Sequence, residues 1–237
     1  MKEFFTGTGY VLLFFLCCGG SAGLLRKFTS IGDEAFRKLL HCILLGSLVV
    51  WTFGFQTWYL AVASALILAV AMYPALALIT KIPGFSAFVN ERKSGEMKSS
   101  MLLVFFMYAI VATFCWGCMG ERMLAMATIY AWGYGDAAGA LIGKRFGKHK
   151  LTGSHIEGTK SVEGSAAMFI TSFITVLIIL MIRGRMPWYG YPITAFATAA
   201  ATTTVELYSM KGRDTITCPL SAMSVLIPLT YAFGGMV

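Results

Sequence analysis

The chain has 237 residues, 57% of them hydrophobic and 13% charged, with a mean hydropathy of +0.73 and a formal net charge of +8. A single soluble core of this length has no room for so much apolar surface, so the composition excludes a water-soluble globular domain and makes the chain a polytopic membrane protein.

A spanning helix needs about 20 mostly apolar residues. Such runs fall at 8–25, 39–55, 58–80, 100–119, 122–143, 164–182, 189–207 and 217–236. The expected fold is all-α: one domain, 1–237, built as a bundle of eight transmembrane helices. Seven stays open, because Phe55-Gln56-Thr57 is a thin break between the second run and the third. Pro74 kinks the third helix rather than ending it. The first run lacks a small-x-small cleavage site after its apolar core and reads as a retained helix, not a signal peptide. All six cysteines lie in or beside these runs. Cys115-Trp-Gly-Cys118 has CxxC spacing but no βαβ context, so it reads as small apolar residues on a buried helix.

Of the 19 Lys and Arg, 15 fall in the loops after the first, third, fifth and seventh runs, and only Lys2, Arg122, Arg183 and Arg185 fall on the other side. The positive-inside rule puts the former loops in the cytoplasm and both termini outside. The net charge is therefore mostly topology and no sign of a nucleic-acid partner. Nine of the eleven acids share that face, which topology does not require. Cations, carboxylates and glycines together suit a metal–polyphosphate site: cations and backbone N–H groups hold phosphate oxygens, and carboxylates hold Mg²⁺.

Glu34-Ala-Phe-Arg37-Lys38-Leu-Leu-His41 opens the second helix. Glu34 and Lys38 are one turn apart, as are Arg37 and His41, so this start is either structural or a phosphate contact. Glu91-Arg92-Lys-Ser-Gly-Glu96 reads by default as a solvated loop. Asp136 stands near the end of the fifth run, where a carboxylate is costly unless it meets a partner, water or an ion. It shares a helix face with Gly139, Ala140 and Gly143, across which a ligand or another backbone can come close. Lys144, Arg145, Lys148, His149 and Lys150 follow it. This is no P-loop: the glycine spacing is wrong, Arg145 stands where Ser or Thr belongs, and the context is a membrane helix.

The segment from Gly143 to Glu163 carries several glycines and reads as a flexible, backbone-exposed loop. Lys160-Ser161-Val-Glu163-Gly-Ser165 opens the sixth helix; Ser161 or Ser165 caps it, and the helix start either binds an anion or is a plain cap with an acid in its first turn. Thr194, Thr198, Thr202 and Glu206 recur every fourth residue along the seventh run, a polar stripe for packing or for lining a cavity. Asp214 follows in Gly212-Arg-Asp-Thr-Ile-Thr-Cys-Pro219. A second carboxylate there either completes a metal site or takes a proton from a hydroxyl.

In chain order these stretches are E-x-x-R-K-x-x-H (Glu34 to His41), E-R-K-x-G-E (Glu91 to Glu96), G-D-A-A-x-A-L-I-G-K-R-F-G-K-H-K (Gly135 to Lys150), K-S-x-E-G-S (Lys160 to Ser165) and E-x(7)-D-x-x-T-x-P (Glu206 to Pro219). The set resembles the membrane-embedded CTP-dependent lipid alcohol kinases: the dolichol kinase, phytol kinase and yeast-type diacylglycerol kinase group. Its central part, Gly135 to Ser165, is also similar to the phosphatidate cytidylyltransferases, but their late K-D, G-H-G-G and D-R-x-D signature has no match after Ser165. One departure from the kinases is Thr215, where they often carry Asn after the Asp.

The resemblance implies transfer of the γ-phosphate of CTP to the hydroxyl of a membrane lipid alcohol (a polyprenol, a phytol-like isoprenol or diacylglycerol), with Mg²⁺ as cofactor. Asp136, Asp214, Lys160 and Glu163 would carry catalysis. Asp136, Asp214 and Glu206 would hold metal. Arg37, Lys38, His41, Arg92, Lys144, Arg145, Lys148 and Ser161 would bind the nucleotide phosphates. Two rivals are cytidylyl transfer to a phosphatidic-acid-like lipid and ion-coupled transport, the latter disfavoured by acids near span ends and the lack of an inverted repeat. The expected location is a prokaryotic inner (plasma) membrane, multi-pass, with the site facing the cytoplasm.

Overall fold

A computed structural model describes residues 1–79, 96–153, 156, 160–209 and 213–235. Among them the chain is all helix apart from turns and one isolated bridge: α1 (Lys2–Phe28), α2 (Asp33–Gly54), α3 (Trp58–Ile79), α4 (Glu96–Ala112), a π-helical turn (Thr113–Cys118), α5 (Arg122–Phe146), α6 (Val162–Arg183), α7 (Gly190–Tyr208) and α8 (Asp214–Ala232). The protein is an all-α polytopic membrane protein. Among the described residues five spans are long and apolar enough to cross a bilayer: α1, α2, Ser99–Cys118, α6 and α8. The helices form two compact units, Met1–Thr113 and Phe114–Val237.

In the first unit the 55–57 break is real, and its cause lies far away in sequence. The Glu3 carboxylate accepts the backbone N–H groups of Gln56 and Thr57, both at 2.9 Å, and the Thr57 hydroxyl at 3.0 Å. It thereby satisfies donors that a helix start leaves open. α3 continues through Pro74, as its apolar pattern requires. Around buried Trp51 stand Phe105 at 4.8 Å and Tyr108 at 5.7 Å between ring centroids. The Trp51 indole N–H donates to Ser64 Oγ at 3.2 Å, and Ser64 meets Thr8 at 2.9 Å.

At the start of α2, Arg37 pairs with Glu34 one turn back at 2.6 Å, and Lys38 is buried. The α1–α2 turn is held by Arg26, which pairs with Asp33 and donates to the Ile31 carbonyl. The Glu91–Glu96 motif, and Arg92 with it, lies outside the described residues apart from the backbone of Glu96, the first residue of α4.

In the second unit α5 packs on α6 and α8, α6 on α7, and α7 on α8. α5 is the most enclosed helix of the unit, with a nearly continuous buried run from Ala127 to Gly133. That explains why α5 is less apolar than its neighbours: a helix covered by protein does not have to match lipid. α5 and α6 meet through small residues. A Cβ on Gly139 would stand 3.1 Å from the Gly164 carbonyl oxygen, and one on Gly164 would stand 3.1 Å from Gly143 Cα. The Gly139–Gly143 spacing therefore admits a neighbouring backbone, the small-xxx-small packing of membrane helices.

The CxxC pair lies in the π-helical turn, Cys115 buried and Cys118 exposed, and no disulfide joins the described cysteines.

Candidate active site

The C-terminus of α5, the N-terminus of α6, the C-terminus of α7 and the N-terminus of α8 gather at one end of the second unit. This follows from antiparallel packing of helices joined by short connections. That end holds Asp136, Lys144, Arg145, Lys148, Lys160, Ser161, Glu163, Glu206 and Asp214. Arg37, Lys38 and His41 belong to the first unit.

Asp136 stands ten residues before Phe146, the last residue of α5. At the rise of an α-helix that is about 15 Å of axis, deeper than the apolar run alone suggests. Its level is shared by the start of α8. The Trp132 indole N–H, one turn before Asp136, donates to Asp214 Oδ2 at 3.3 Å. The connection between α7 and α8 thus brings its end against the middle of α5. Glu206 lies within electrostatic reach of Asp136, Asp214 and Lys160, and the buried Cys218 within reach of the same three carboxylates. Among the described residues no group of three or more His, Cys, Asp or Glu forms an all-protein cage for a metal ion.

Four residues of the Lys160–Ser165 motif have a structural occupation. The Lys160 ammonium donates to the Glu206 carbonyl, to the Ser209 carbonyl at 3.3 Å, and pairs with Glu206 Oε1 at 3.1 Å. Ser161 caps α6, its Oγ accepting the Gly164 N–H at 3.2 Å. Glu163 accepts the His149 N–H at 3.2 Å and meets His149 Nδ1 at 2.7 Å. Gly164 admits α5, as above. The helix start is thus a serine cap with an acid in its first turn.

The described ends of the connection between α5 and α6 are held by main-chain contacts. α5 runs on through Lys144 and Arg145 to Phe146. Lys150 and Ser161 then form an antiparallel bridge, with Leu151 N–H donating to the Lys160 carbonyl and Val162 N–H to the His149 carbonyl, both at 3.0 Å. Gly143 and Gly147 do not line an open loop: an added Cβ would meet Ser161 Oγ at 3.3 Å and 2.6 Å. Glycine content signalled close packing here, not backbone freedom. Lys144, Arg145 and Lys148 are exposed, and the Arg145 guanidinium lies 5.2 Å from the centroid of the Phe146 ring.

Along α7, Thr194, Thr198 and Thr202 are fully buried. Thr202 Oγ1 donates back to the Thr198 carbonyl at 2.7 Å, so part of the stripe is satisfied within its own helix. Trp132 was not legible as a site residue. Its only signal was an indole one turn from an intramembrane acid, and its partner lies 82 residues away.

No family model matches the sequence, and no solved structure matches it. Over 224 residues the chain is similar to the phytol kinase of Synechocystis sp. (strain ATCC 27184 / PCC 6803 / Kazusa), at 24% identity, covering 91% of this chain and 88% of that protein.

Proposed function

We propose that this chain is a membrane-embedded kinase that transfers the γ-phosphate of CTP to the hydroxyl of a membrane lipid alcohol. The observation that carries the reading is the likeness to a phytol kinase along almost the whole of both chains. It supports a lipid kinase; CTP, Mg²⁺ and the class of alcohol rest on the motif resemblance and on the chemistry of the residues gathered in the second unit. An isoprenoid alcohol of the phytol kind, a polyprenol and diacylglycerol all present a hydroxyl on an apolar tail that stays in the bilayer.

The donor set fits Mg²⁺. Asp136, Asp214 and Glu206 offer hard oxygen ligands, and Mg²⁺ commonly takes one or two carboxylates and completes its shell with substrate phosphates and water. A three-ligand protein cage is therefore not required. Asp136 is the ligand proposed, with Asp214 as second ligand or as the base for the lipid hydroxyl, while Glu206 pairs with Lys160 and orients that cation. Bound there, Mg²⁺ supplies charge that draws phosphate oxygens together and offsets their repulsion.

The chain's own residues do the rest. Lys144, Arg145 and Lys148, exposed at the end of α5, bind the triphosphate and stabilise charge on the transferring group. The lipid oxygen forms its bond to the γ-phosphorus as the bond from that phosphorus to the β-bridging oxygen breaks, and CDP leaves. Where Asp214 is not a metal ligand, its carboxylate takes the hydroxyl proton.

The test uses purified protein, Mg²⁺, and CTP labelled at the γ- or the α-phosphate, against polyprenol, phytol, diacylglycerol and phosphatidic acid. γ-Label in the lipid phase is expected. α-Label there would make the chain a cytidylyltransferase, and neither label in a folded sample would end the kinase reading. Asp136→Asn is expected to lower turnover by roughly 10²–10³-fold, the scale of losing one preorganised electrostatic group, with unfolding in detergent unchanged.

A further inference from the structure

We infer that Lys160 is a positioning residue, a latch that fixes the C-terminal end of α7 and through it Asp214, rather than a cation that binds phosphate. Its part in catalysis rests on the kinase reading; its part as a latch does not.

The ammonium of Lys has three donors and no acceptor. At Lys160 they face three oxygens: the Glu206 carbonyl, the Ser209 carbonyl and Glu206 Oε1. Two of these are main-chain oxygens at the end of α7: the C-cap carbonyl of Ser209, and the Glu206 carbonyl, which also accepts the Ser209 N–H at 3.1 Å. A cation there also suits the negative end of the helix dipole. The side chain is 13% exposed and its Glu206 partner 19%, so water competes little for these bonds. A phosphate would have to strip the ammonium from all three.

The consequence reaches Asp214 through named atoms. Ser209 Oγ lies 2.7 Å from Thr217 Oγ1 on α8; one of the two hydroxyls donates across this contact, and the other donates within its own chain segment, Ser209 to the Val205 carbonyl at 2.7 Å or Thr217 to the Arg213 carbonyl at 3.1 Å. The residue that Lys160 holds by its carbonyl therefore ties α7 to the first turn of α8, where Asp214 begins the helix and receives the Trp132 indole. Lys160 also places a positive charge beside Glu206, which stands within reach of Asp136 and Asp214. Without it three carboxylates would repel one another at this end of the unit.

The experiment compares the full chain with Lys160→Met, Lys160→Arg and Glu206→Gln, in detergent. The first readout is hydrogen exchange at the Ser209 amide, which bonds the Glu206 carbonyl at 3.1 Å, measured with no nucleotide present. Exchange is expected to quicken by about tenfold or more in Lys160→Met and to stay near wild type in Lys160→Arg, which keeps donors for both carbonyls. The second readout is kinetic. Lys160→Met is expected to lose roughly 10²-fold in kcat, the scale of a misplaced catalytic group, with the KM for CTP within about threefold. Lys160→Arg restores most of that kcat, and Glu206→Gln falls between the two.

Unchanged exchange at Ser209 in Lys160→Met would overturn the inference whatever the activity. So would a tenfold rise in the KM for CTP with kcat preserved, the mark of a lost phosphate contact. A wild-type chain that phosphorylates no lipid would end the kinase reading, and exchange alone would then decide on the latch. If Lys160→Met does not fold, Lys160→Arg and Glu206→Gln carry the same two readouts.

Discussion

The two ends of the second unit both place charged side chains among apolar helices, and they do so in opposite ways. At the end away from the α5–α6 connection, Glu121 is gripped by two arginines. Arg183 Nε and Nη2 meet its two oxygens at 3.0 Å and 2.9 Å, and Arg185 Nη1 meets Oε1 at 2.8 Å. Arg183 also donates to the Gly235 carbonyl, and Arg122 stacks 4.8 Å from the Trp116 ring. This cluster ties the start of α5, the end of α6 and the residues after α8 into one knot. At the other end three carboxylates, Asp136, Glu206 and Asp214, converge on one another's fields around Lys160. The first arrangement neutralises its acid with bidentate geometry and closes a helix bundle. The second concentrates negative charge at the level where a helix begins, which is what a site for a cation and its phosphates needs and a purely structural knot does not.

The sharpest way to break the contrast is to remove the acid of the knot. Glu121→Ala leaves Arg183, only 2% exposed, without its carboxylate. Stripping one partner from a buried pair costs about 3–5 kcal/mol. Thermal or denaturant unfolding in detergent is expected to show that loss, while surviving folded protein keeps its KM for CTP. A variant that unfolds like wild type would mean the knot holds nothing together. A variant with normal stability and lost turnover would move the functional end.

A smaller effect is expected at the α5–α6 seam, beside the carboxylate end. Gly164 sits in the Lys160–Ser165 motif, where a glycine could serve close approach of phosphate or close approach of a helix. A Cβ there would stand 2.9 Å from the Gly139 carbonyl oxygen and 3.1 Å from Gly143 Cα, both backbone atoms that cannot swing aside. Gly164→Val therefore overpacks the seam and is expected to cost about 1–3 kcal/mol of stability. A normal unfolding midpoint with a raised KM for CTP would assign this glycine to the ligand instead.

What the sequence disclosed follows the range of the interactions. Apolar runs are local, and each of the eight expected helices is present, with ends shifted by a few residues. The Ser161 cap was legible because donor and acceptor lie three residues apart. The Lys160–Glu206 pair spans 46 residues, Trp132–Asp214 spans 82 and Arg183–Glu121 spans 62. No periodicity within one helix can announce a partner on another. The glycine face of α5 was visible as a face, but whether a ligand or a helix covers it depends on which helix packs there. Arg183 and Arg185 counted in the sequence only as cations on the minority side of the membrane; the acid that explains them, Glu121, precedes a helix by one residue and carries no motif.

Trp132 gives the mildest and most specific way to sharpen the comparison. Its ring is almost fully buried on α5, and its indole N–H reaches Asp214 Oδ2 at 3.3 Å. Trp132→Phe keeps most of the apolar volume and removes that donor. If Asp214 belongs to the reacting end, a bond to its carboxylate steers which oxygen faces the ligand, and losing a hydrogen bond to a charged group is worth about 1.5–3 kcal/mol. Some of that returns as the carboxylate finds other donors, so the expected outcome is a fall of roughly tenfold in kcat. The Mg²⁺ concentration needed for half-maximal rate is expected to rise, with the unfolding midpoint nearly unchanged. The same substitution at the knot end, Trp116→Phe, loses part of a cation–π contact with Arg122 and is expected to leave both kinetic quantities alone. If the two variants behave alike, the ends do not differ in kind, and the carboxylates around Lys160 are a second knot.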